Sequence, residues 1–312
     1  MKIVIPGGSG QVGTLLRRSF AAEGHDVVVI SRRPGRDELH WDDLRRSLEG
    51  ADAVVNLAGR SVNCRYTAPN RQAIMESRVS STAAVGNAIA ACSDPPHVWL
   101  QASTATIYAH RYDAGNDEHT GILGGGEPNV PDTWRFSIDV ARAWERELDS
   151  AVTPHTRKVA MRSAMIMSPD PGGVFDVLLG LVRRGLGGQS GNGRQYVSWL
   201  HHEDFVRAVR HLLERDDIAG PVNLAAPNPL PNAEFMRELR DAWGIRVGLP
   251  ATRWMLEAGA VFLRTETELI LKSRRVVPAR LLESAFEFAH PTWREAARNL
   301  VEEWKLRRPQ PG

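Results

Sequence analysis

Three glycines near the N-terminus have a spacing that constrains the fold more than any other feature of the chain. Gly7, Gly10 and Gly13 follow the apolar run Ile3-Val4-Ile5. Gly7 and Gly10 precede an amphipathic stretch that starts at Gln11, and Gly13 lies in its first turn. Between a strand and a helix, such glycines allow a tight turn, let a pyrophosphate approach the backbone and let the helix pack closely on the strand. No Gly-Lys-Ser/Thr ends the turn, which excludes a P-loop. The spacing therefore predicts a dinucleotide-binding turn.

The end of the second predicted strand indicates which dinucleotide fits. An acidic side chain at this place would bind the ribose 2′-OH of NAD. The chain has Ser31-Arg32-Arg33 there instead, and two guanidiniums suit a 2′-phosphate. We therefore expect the cofactor to be NADP(H), with Trp41 as a candidate neighbour of the adenine. The alternatives are that both arginines face solvent and that Trp41 packs in the interior.

Short apolar runs alternate with helix-length amphipathic stretches over the first half of the chain. This alternation is typical of βαβ units with a parallel sheet. The predicted strands are residues 2–5, 26–30, 53–57, 98–102 and 158–166, and the predicted helices are residues 11–23, 42–48 and 68–91. The expected fold class is α/β, a Rossmann-type doubly wound parallel sheet with a smaller C-terminal α/β substrate lobe.

Glycine-rich turns become frequent after residue 168. We place an NADP-binding Rossmann domain at residues 1–168 and a substrate-binding lobe at residues 169–312, with some strands and helices of the second part returning to the first. A C-terminal module is expected at about residues 249–300. Helices are predicted at residues 203–215, 233–243, 253–271 and 293–304, with Asn232 as an N-cap and Gly244 as a stop. Residues 109–132 lack periodicity and predict a long loop beside the sheet.

Composition argues against several classes of function. The 39 Lys and Arg residues nearly balance 37 Asp and Glu residues, and the basic residues are scattered, so we expect no nucleic-acid interface. No apolar stretch approaches the roughly 20 residues of a membrane span. With only two cysteines, a reducing compartment is the simpler interpretation. We expect a cytoplasmic protein that binds a small molecule and no membrane.

Several motifs resemble those of the extended short-chain dehydrogenases/reductases. They are the glycine turn, Asn56-Leu57-Ala58-Gly59 and Ala102-Ser103-Thr104-Ala105-Thr106-Ile107-Tyr108. Residues 191–204 resemble a segment of nucleotide-sugar epimerases and dehydratases. The chain most resembles the branch called epimerase family proteins, whose substrate is not settled; the marks of this branch include Ser77-Arg78-Val79, Trp144-Glu145, Asn223-Leu224 and residues 271–278. The resemblance covers essentially the whole chain and is specific for fold and cofactor.

The resemblance implies roles for individual residues. The pyrophosphate would contact Gly7, Ser9, Gly10, Gln11 and Val12. The 2′-phosphate would contact Ser31, Arg32 and Arg33, and the adenosine would contact Leu57, Ala58 and Gly59. At the end of the next strand, Ala102 and Ser103 would also contact the cofactor. Thr104 matches the catalytic Ser/Thr, whose hydroxyl bonds the reacting oxygen. Extended relatives often dimerise through two helices beside the sheet, so a monomer or a homodimer is expected.

The Tyr-x-x-x-Lys pair of this superfamily is missing. Its positions hold Ser137 and Ala141, or Phe136 and Val140, and none of the four tyrosines has a lysine four residues later. In relatives the lysine lowers the pKa of the tyrosine, so that the hydroxyl exchanges a proton near neutral pH. Either another group supplies the proton, or the substrate needs none, or NADP(H) is bound without turnover.

Other polar residues are candidates for the site. Tyr108 leaves the same strand as Thr104 and is our first choice of proton donor; the alternatives are a substrate contact and a packing role. Arg78 stands where many relatives have an active-site asparagine, and would bind an anionic substrate or the cofactor. Arg162 lies on a strand with a buried pattern, so it must be paired or contact a ligand. The candidate substrate-binding residues are therefore Arg78, Arg162, Trp199 and His201.

The run His201-His202-Glu203-Asp204 invites comparison with a metal site. A zinc-protease helix needs a second histidine four residues after the first, and Val206 occupies that position relative to His202. We therefore expect no metal. Asp204 is predicted to cap the following helix, and His201 to pack under the substrate cleft.

Two functions agree with these features. One is an NADP(H)-dependent oxidoreductase or epimerase-like enzyme acting on an unidentified small carbonyl or alcohol. The alternative is a non-catalytic protein in which NADP(H) occupancy stabilises a shape that a partner recognises.

Overall fold

Seven parallel strands form the central sheet of the chain, whose computed structural model describes residues 1–251 and 271–308. In order across the sheet they are β10 (Gly220–Leu224), β6 (Arg157–Ser163), β5 (Val98–Thr104), β4 (Ala53–Asn56), β1 (Lys2–Pro6), β2 (Asp26–Ser31) and β3 (Glu38–His40). Every neighbouring pair is parallel. The predicted doubly wound α/β sheet is confirmed.

Helices connect these strands and cover both faces of the sheet. Those of the first half are α1 (Gln11–Ala22), α2 (Leu44–Leu48), α3 (Ala68–Ala90) and α4 (Asp132–Ser150). Those of the second half are α5 (Val174–Arg183), α6 (His202–Glu214), α7 (Asn232–Trp243), α8 (Ala279–Glu283) and α9 (Trp293–Arg307). Because α1, α3 and α4 each follow a strand and return to a parallel one, all three begin at the carboxyl edge of the sheet.

Four short strands and two 3-10 turns complete the described elements. β7 (Met165–Met167) pairs with β9 (Trp199–His201), and β8 (Tyr196–Val197) pairs with β11 (Leu230–Pro231). The 3-10 turns are Trp41–Asp43 and Ala105–Ile107. Within residues 1–251 and 271–308, no helix combines the length and the apolar character needed to cross a bilayer.

Alternation along the strands assigns side chains to two apolar layers. In β1, Ile3 and Ile5 pack with Leu16 of α1 and Phe205 of α6, whereas Val4 packs on the opposite face with a cluster that includes residues of α2, α3 and α4. This period of two is expected for strands covered on both faces. The sheet is therefore a rigid base whose carboxyl edge carries the loops described below.

A third apolar cluster lies outside the two apolar layers that cover the sheet. Phe235 of α7 stacks on Trp293 of α9, with ring centroids 4.0 Å apart, and Trp199 lies 5.0 Å from the same indole. Helix α5 contributes to this cluster as well. By contrast, β10 pairs with β6 in the central sheet, and α6 packs beside α1 in the layer that covers one face of that sheet. The division at residue 168 stays a prediction.

The structure corrects several predicted strands. The strand predicted at residues 158–166 is two strands, β6 in the sheet and β7 outside it, separated by Ala164. The edge strands β3 and β10 were not predicted. The predicted loop at residues 109–132 is confirmed up to the start of α4. Two of its residues form isolated bridges, Leu123 with Tyr108 and Asn116 with Val276.

Two predicted helix caps were wrong. His201, not Asp204, caps α6 by accepting the backbone N–H of Glu203. The carboxylate of Asp204 is buried within the helix and accepts the N–H groups of Ala289 and His290 instead. Asn232 is the first residue of α7 rather than its cap, whereas Gly244 ends that helix with a left-handed φ of 92°, as predicted. The helix predicted at residues 253–271 lies outside the described residues except for its last position.

Candidate cofactor and active site

The glycine turn lies where the carboxyl ends of β1, β2 and β4 meet. Gly7 has a φ of +79° and its N–H donates to the carbonyl of Ile30 at 2.9 Å. A Cβ on Gly7 would lie 2.7 Å from the backbone N of Ala58, and one on Gly13 would lie 2.5 Å from the Cα of Gly8. Neither distance is possible for real atoms, so both positions require glycine.

The first turn of α1 presents unused donors at the same edge. The first N–H with a partner in the helical pattern is that of Thr14, which donates to Gly10 at 2.8 Å. Among the described residues no side chain caps α1, and its first turn contains no acid. The N–H groups of Gln11, Val12 and Gly13 and the positive end of the helix dipole therefore suit an anion.

The end of β2 carries the two predicted phosphate-binding arginines. Arg32 and Arg33 are exposed, and no carboxylate of the described residues pairs with them. Ser31 is buried, and its hydroxyl lies 3.4 Å from that of Ser9 in the glycine turn. Trp41 is half-buried and packs against the apolar cluster on the α2 side of the sheet. The arginines thus stand next to the turn with their charges available.

The loop after β4 lies against the glycine turn. The buried Asn56 accepts the N–H of Ala58 at 3.1 Å and donates to Gln101 of β5 at 2.9 Å. The N–H of Leu57 donates to the carbonyl of Pro6 at 2.8 Å. These bonds hold Leu57, Ala58 and Gly59 at the carboxyl edge, beside the turn.

Thr104 is the last residue of β5 and lies at this edge. Its half-buried hydroxyl accepts the N–H of Thr106 at 3.2 Å and starts the 3-10 turn that follows. Because a hydroxyl also carries a proton, Thr104 keeps a donor for a ligand. The preceding residue, Ser103, instead donates to Glu145 of α4 at 2.6 Å. Ala102 is half-buried one residue further back.

Tyr108 and Arg162 belong to a buried polar network below the edge. Arg162 binds Glu145 through two bonds, Nε to Oε1 at 2.8 Å and Nη2 to Oε2 at 2.7 Å. Its Nη1 donates to the hydroxyl of Tyr108, which donates to Asn223, both at 2.9 Å. Tyr108 is 2% exposed, and burial raises the pKa of its hydroxyl. The predicted proton donor is thus enclosed and its proton is already bound.

The predicted substrate-binding residues separate into two groups. Trp199 is fully buried against Trp293. His201 is also fully buried, and both ring nitrogens are used, since Nδ1 accepts from Glu203 and Nε2 bonds Asn299 at 3.0 Å. Neither ring reaches the protein surface in this structure. Arg162 is enclosed as well, whereas Arg78 reaches the edge beside Gly59.

Histidines and glutamates cluster around the start of α6. The donor atoms of His201, His202 and Glu303 lie within 4.8 Å of one another, and so do those of His201, Glu203 and His290. Burial, followed by the neighbouring imidazoles, lowers the pKa of His201 to about 2, which keeps this ring neutral. His202 bonds Glu303 and His290 bonds Glu203. Hydrogen bonds therefore account for this cluster.

Two residues near the site were missed in the sequence. Tyr66, just before α3, has its hydroxyl 3.4 Å from the Oγ of Ser137, one of the positions where relatives have their tyrosine. The buried Lys272 donates to the carbonyl of Thr106 at 2.7 Å. Neither follows from local patterns, because each reaches the site from a segment distant in sequence. Only the scarcity of tyrosine and lysine in the chain draws attention to them.

Comparisons with known proteins agree with this geometry. Residues 3–131 match the NAD dependent epimerase/dehydratase family, and residues 251–300 match a domain of unknown function, DUF1731. The epimerase family protein SDR39U1 of Bos taurus is 32% identical over 308 residues, which cover 96% of this chain and 100% of the relative.

Solved structures of epimerases are also similar to this chain. The crystal structure of the human epimerase family protein SDR39U1 with NADPH is 30% identical, has a TM-score of 0.87 and covers 97% of this chain and 99% of its own. That of a nucleoside-diphosphate sugar epimerase from Corynebacterium glutamicum is 27% identical, with a TM-score of 0.74, and is matched over 96% of this chain and 57% of its own. The chain therefore belongs to the epimerase family proteins, and its residues 3–131 form a domain of the NAD dependent epimerase/dehydratase type.

Proposed function

We propose that the chain binds NADP(H) and transfers a hydride between the nicotinamide and a small carbonyl or alcohol, as a reductase or as the first half of an epimerisation or dehydration. The observation that carries the cofactor part is the start of α1, which no side chain of the described residues caps, beside two arginines at the end of β2 that pair with no carboxylate of those residues. A related human protein was crystallised with NADPH, which supports the proposal.

The residues present fit the pyrophosphate, the 2′-phosphate and the adenosine of this cofactor. The N–H groups of the first turn of α1 suit the pyrophosphate, and Arg32 and Arg33 suit the 2′-phosphate, because planar guanidiniums bind phosphate oxygens in pairs. The loop at Leu57, Ala58 and Gly59 would line the adenosine side. When bound, NADPH supplies a hydride and NADP⁺ accepts one.

The chain itself would orient the substrate at the end of β5. Thr104 has a hydroxyl proton to donate to the reacting oxygen, and the bond that it accepts from Thr106 fixes the direction of that hydroxyl. The network around Arg162 and Glu145 ties α4 to β5 and β6 and so fixes this end of the strand. Tyr108 would act as part of this network and help to fix the end of β5.

The arginine pair makes a specific prediction about cofactor choice. Replacing Arg32 and Arg33 together with Ala should weaken NADPH binding by at least about 10-fold, since even one charge-assisted bond to the 2′-phosphate contributes roughly 1.5–3 kcal/mol. NADH binding should change little, because NADH lacks the 2′-phosphate. Energy transfer from the nine tryptophans to the nicotinamide measures both affinities.

The exposed Arg45 and Arg46 of α2 provide the matched control, because they are a second pair of adjacent arginines. Their double Ala variant should bind NADPH like the unaltered protein. Failure of the unaltered protein to bind either dinucleotide would refute the proposed function, and equal losses for NADPH and NADH would refute the assignment of the pair to the 2′-phosphate.

The absence of the usual catalytic pair favours a second candidate function. Positions 137 and 141 hold Ser and Ala, so NADP(H) occupancy would instead stabilise a shape that a protein partner recognises. The two candidates differ in whether a carbonyl compound is ever consumed.

Thr104 separates the two candidates. If the chain is an enzyme, Thr104→Ala should slow NADPH oxidation by about 100-fold, a typical value for a group that hydrogen-bonds the reacting oxygen. Thr104→Ser should keep most of the rate, and both variants should bind NADPH normally. The measurement is absorbance at 340 nm with a panel of aldehydes, ketones and sugar nucleotides. Turnover that is insensitive to Thr104 would contradict its assigned role.

A further inference from the structure

Arg78 has an unusual environment for an arginine. It lies on α3, and its Nη1 donates to the carbonyls of Arg60 at 3.0 Å and Ile74 at 3.1 Å. Its Cζ lies 4.9 Å from the centre of the Trp144 ring. The hydrogen bonds formed by the described residues leave Nε and Nη2 unused. One edge of the guanidinium is therefore fixed to the backbone, and the other is available.

The charge of Arg78 is desolvated without compensation by a carboxylate. Burial lowers the pKa of Arg78 to about 10, and Tyr66 opposes this shift. In the described part of the chain, no carboxylate lies within ion-pair distance. Arg157, whose pKa is also lowered by burial, has Asp216 and Asp217 nearby. Holding a partly buried cation without an anion is costly, and such groups concentrate at functional sites.

The position of Arg78 connects it to the glycine turn. A Cβ on Gly59 would lie 3.4 Å from the guanidinium carbon of Arg78. Ala58, the residue before Gly59, packs directly on Gly7. The guanidinium thus lies one loop away from the turn, at the carboxyl edge where ligands of open α/β sheets bind.

We propose that Arg78 binds an oxyanion, a phosphate or a carboxylate, through its Nε and Nη2 at the carboxyl edge of the sheet. The planar donor pair matches two oxygens of one such group. The oxyanion belongs either to the dinucleotide or to the substrate, which in the second case is an anionic carbonyl or alcohol compound. This inference rests on the proposed function only for naming those two sources.

The test compares Arg78→Met with Arg146→Met, which removes an exposed arginine from α4. NADPH affinity is measured first by energy transfer. Pyrophosphate and malonate are then titrated into the protein, alone and saturated with NADPH, and followed by thermal shift. Arg78→Lys, which keeps the charge but loses the planar donor pair, is measured alongside.

Two results would support an oxyanion site. A loss of at least tenfold in NADPH affinity for Arg78→Met alone would assign the oxyanion to the dinucleotide. Unchanged NADPH affinity with loss of the pyrophosphate or malonate shift in the NADPH-saturated protein would assign it to the substrate. In either case the ligand-free Tm of Arg78→Met should equal or exceed that of the unaltered protein, because removing an uncompensated charge relieves its desolvation cost.

Other results would overturn the inference. Identical NADPH affinities and anion shifts for the Arg78→Met and Arg146→Met variants would do so. So would a fall in the ligand-free Tm of both Arg78→Met and Arg78→Lys with no specific effect on ligands, since that pattern indicates a purely structural arginine. If the unaltered protein does not bind NADPH, the proposed function fails, whereas anion binding by the protein alone still decides the role of Arg78.

Discussion

Replacing Arg162 with Met should lower the free energy of unfolding by about 3–5 kcal/mol, because it leaves the buried partner charge uncompensated. The side chains of Arg162 and Glu145 are 8% and 13% exposed. Removing the guanidinium breaks both bonds to Glu145 and the bond to Tyr108. Urea denaturation followed by tryptophan fluorescence measures the change.

Two controls separate this effect from a simple change of side chain. The double variant Arg162→Met with Glu145→Met should recover much of the loss, since no unpaired charge then remains in the interior. Arg111→Met, which removes one partner of the ion pair with the exposed Asp113, should change stability far less. A double variant no more stable than Arg162→Met alone would show that the charge pair is not the cause.

Replacing Gly13 with Ala should weaken NADPH binding at least tenfold and destabilise the fold by about 1–3 kcal/mol, the usual cost of overpacking. Helix propensity alone favours Ala over Gly by about 1 kcal/mol. The clash outweighs it, because the atoms met by the new Cβ are the Cα, C and O of Gly8, the nearest at 2.5 Å. Backbone cannot yield as a flexible side chain does. The turn must shift, and the donors that face the pyrophosphate shift with it.

Gly126→Ala is the matched control for the glycine variant, since a Cβ there would meet nothing within 4 Å. It should leave NADPH binding unchanged. If Gly13→Ala binds NADPH with normal affinity, the close approach between α1 and the turn is not needed for the cofactor. Energy transfer to the nicotinamide and thermal unfolding are the two measurements.

Much of the fold could be predicted because its signals are local. The glycine spacing marks the turn between β1 and α1, and the apolar runs mark the inner strands, which need continuous burial. The edge strand β10 was missed because Pro221 and Asn223 interrupt the apolar run by which a strand is recognised. Proline is tolerated there, since among residues 1–251 and 271–308 β10 pairs only with β6 and forms no ladder on its other side.

The site was predicted only in part because its side chains act through distant partners. The sequence identifies Arg162 as a buried cation, yet it does not name Glu145 on α4 as its partner. Tyr108 was predicted at the right edge of the sheet, and the bond to Asn223, 115 positions away, is what encloses its proton. Arg78 was recognised as a candidate, but its neighbour Gly59 follows only from the packing of α3 on the loop after β4.

The segment that starts at residue 271 also sets the order in which the molecule can be completed during synthesis. Lys272 binds Thr106, and Ser273 binds His110 across 163 positions. The N–H of Ala279 reaches Glu118 across 161 positions. Contacts so far apart in sequence slow folding, because loop closure must precede them. On a ribosome, the βαβ units can form early, whereas the long loop beside Thr104 must wait for residues 272–279, which emerge late. We therefore expect the site to be finished after the sheet that carries it.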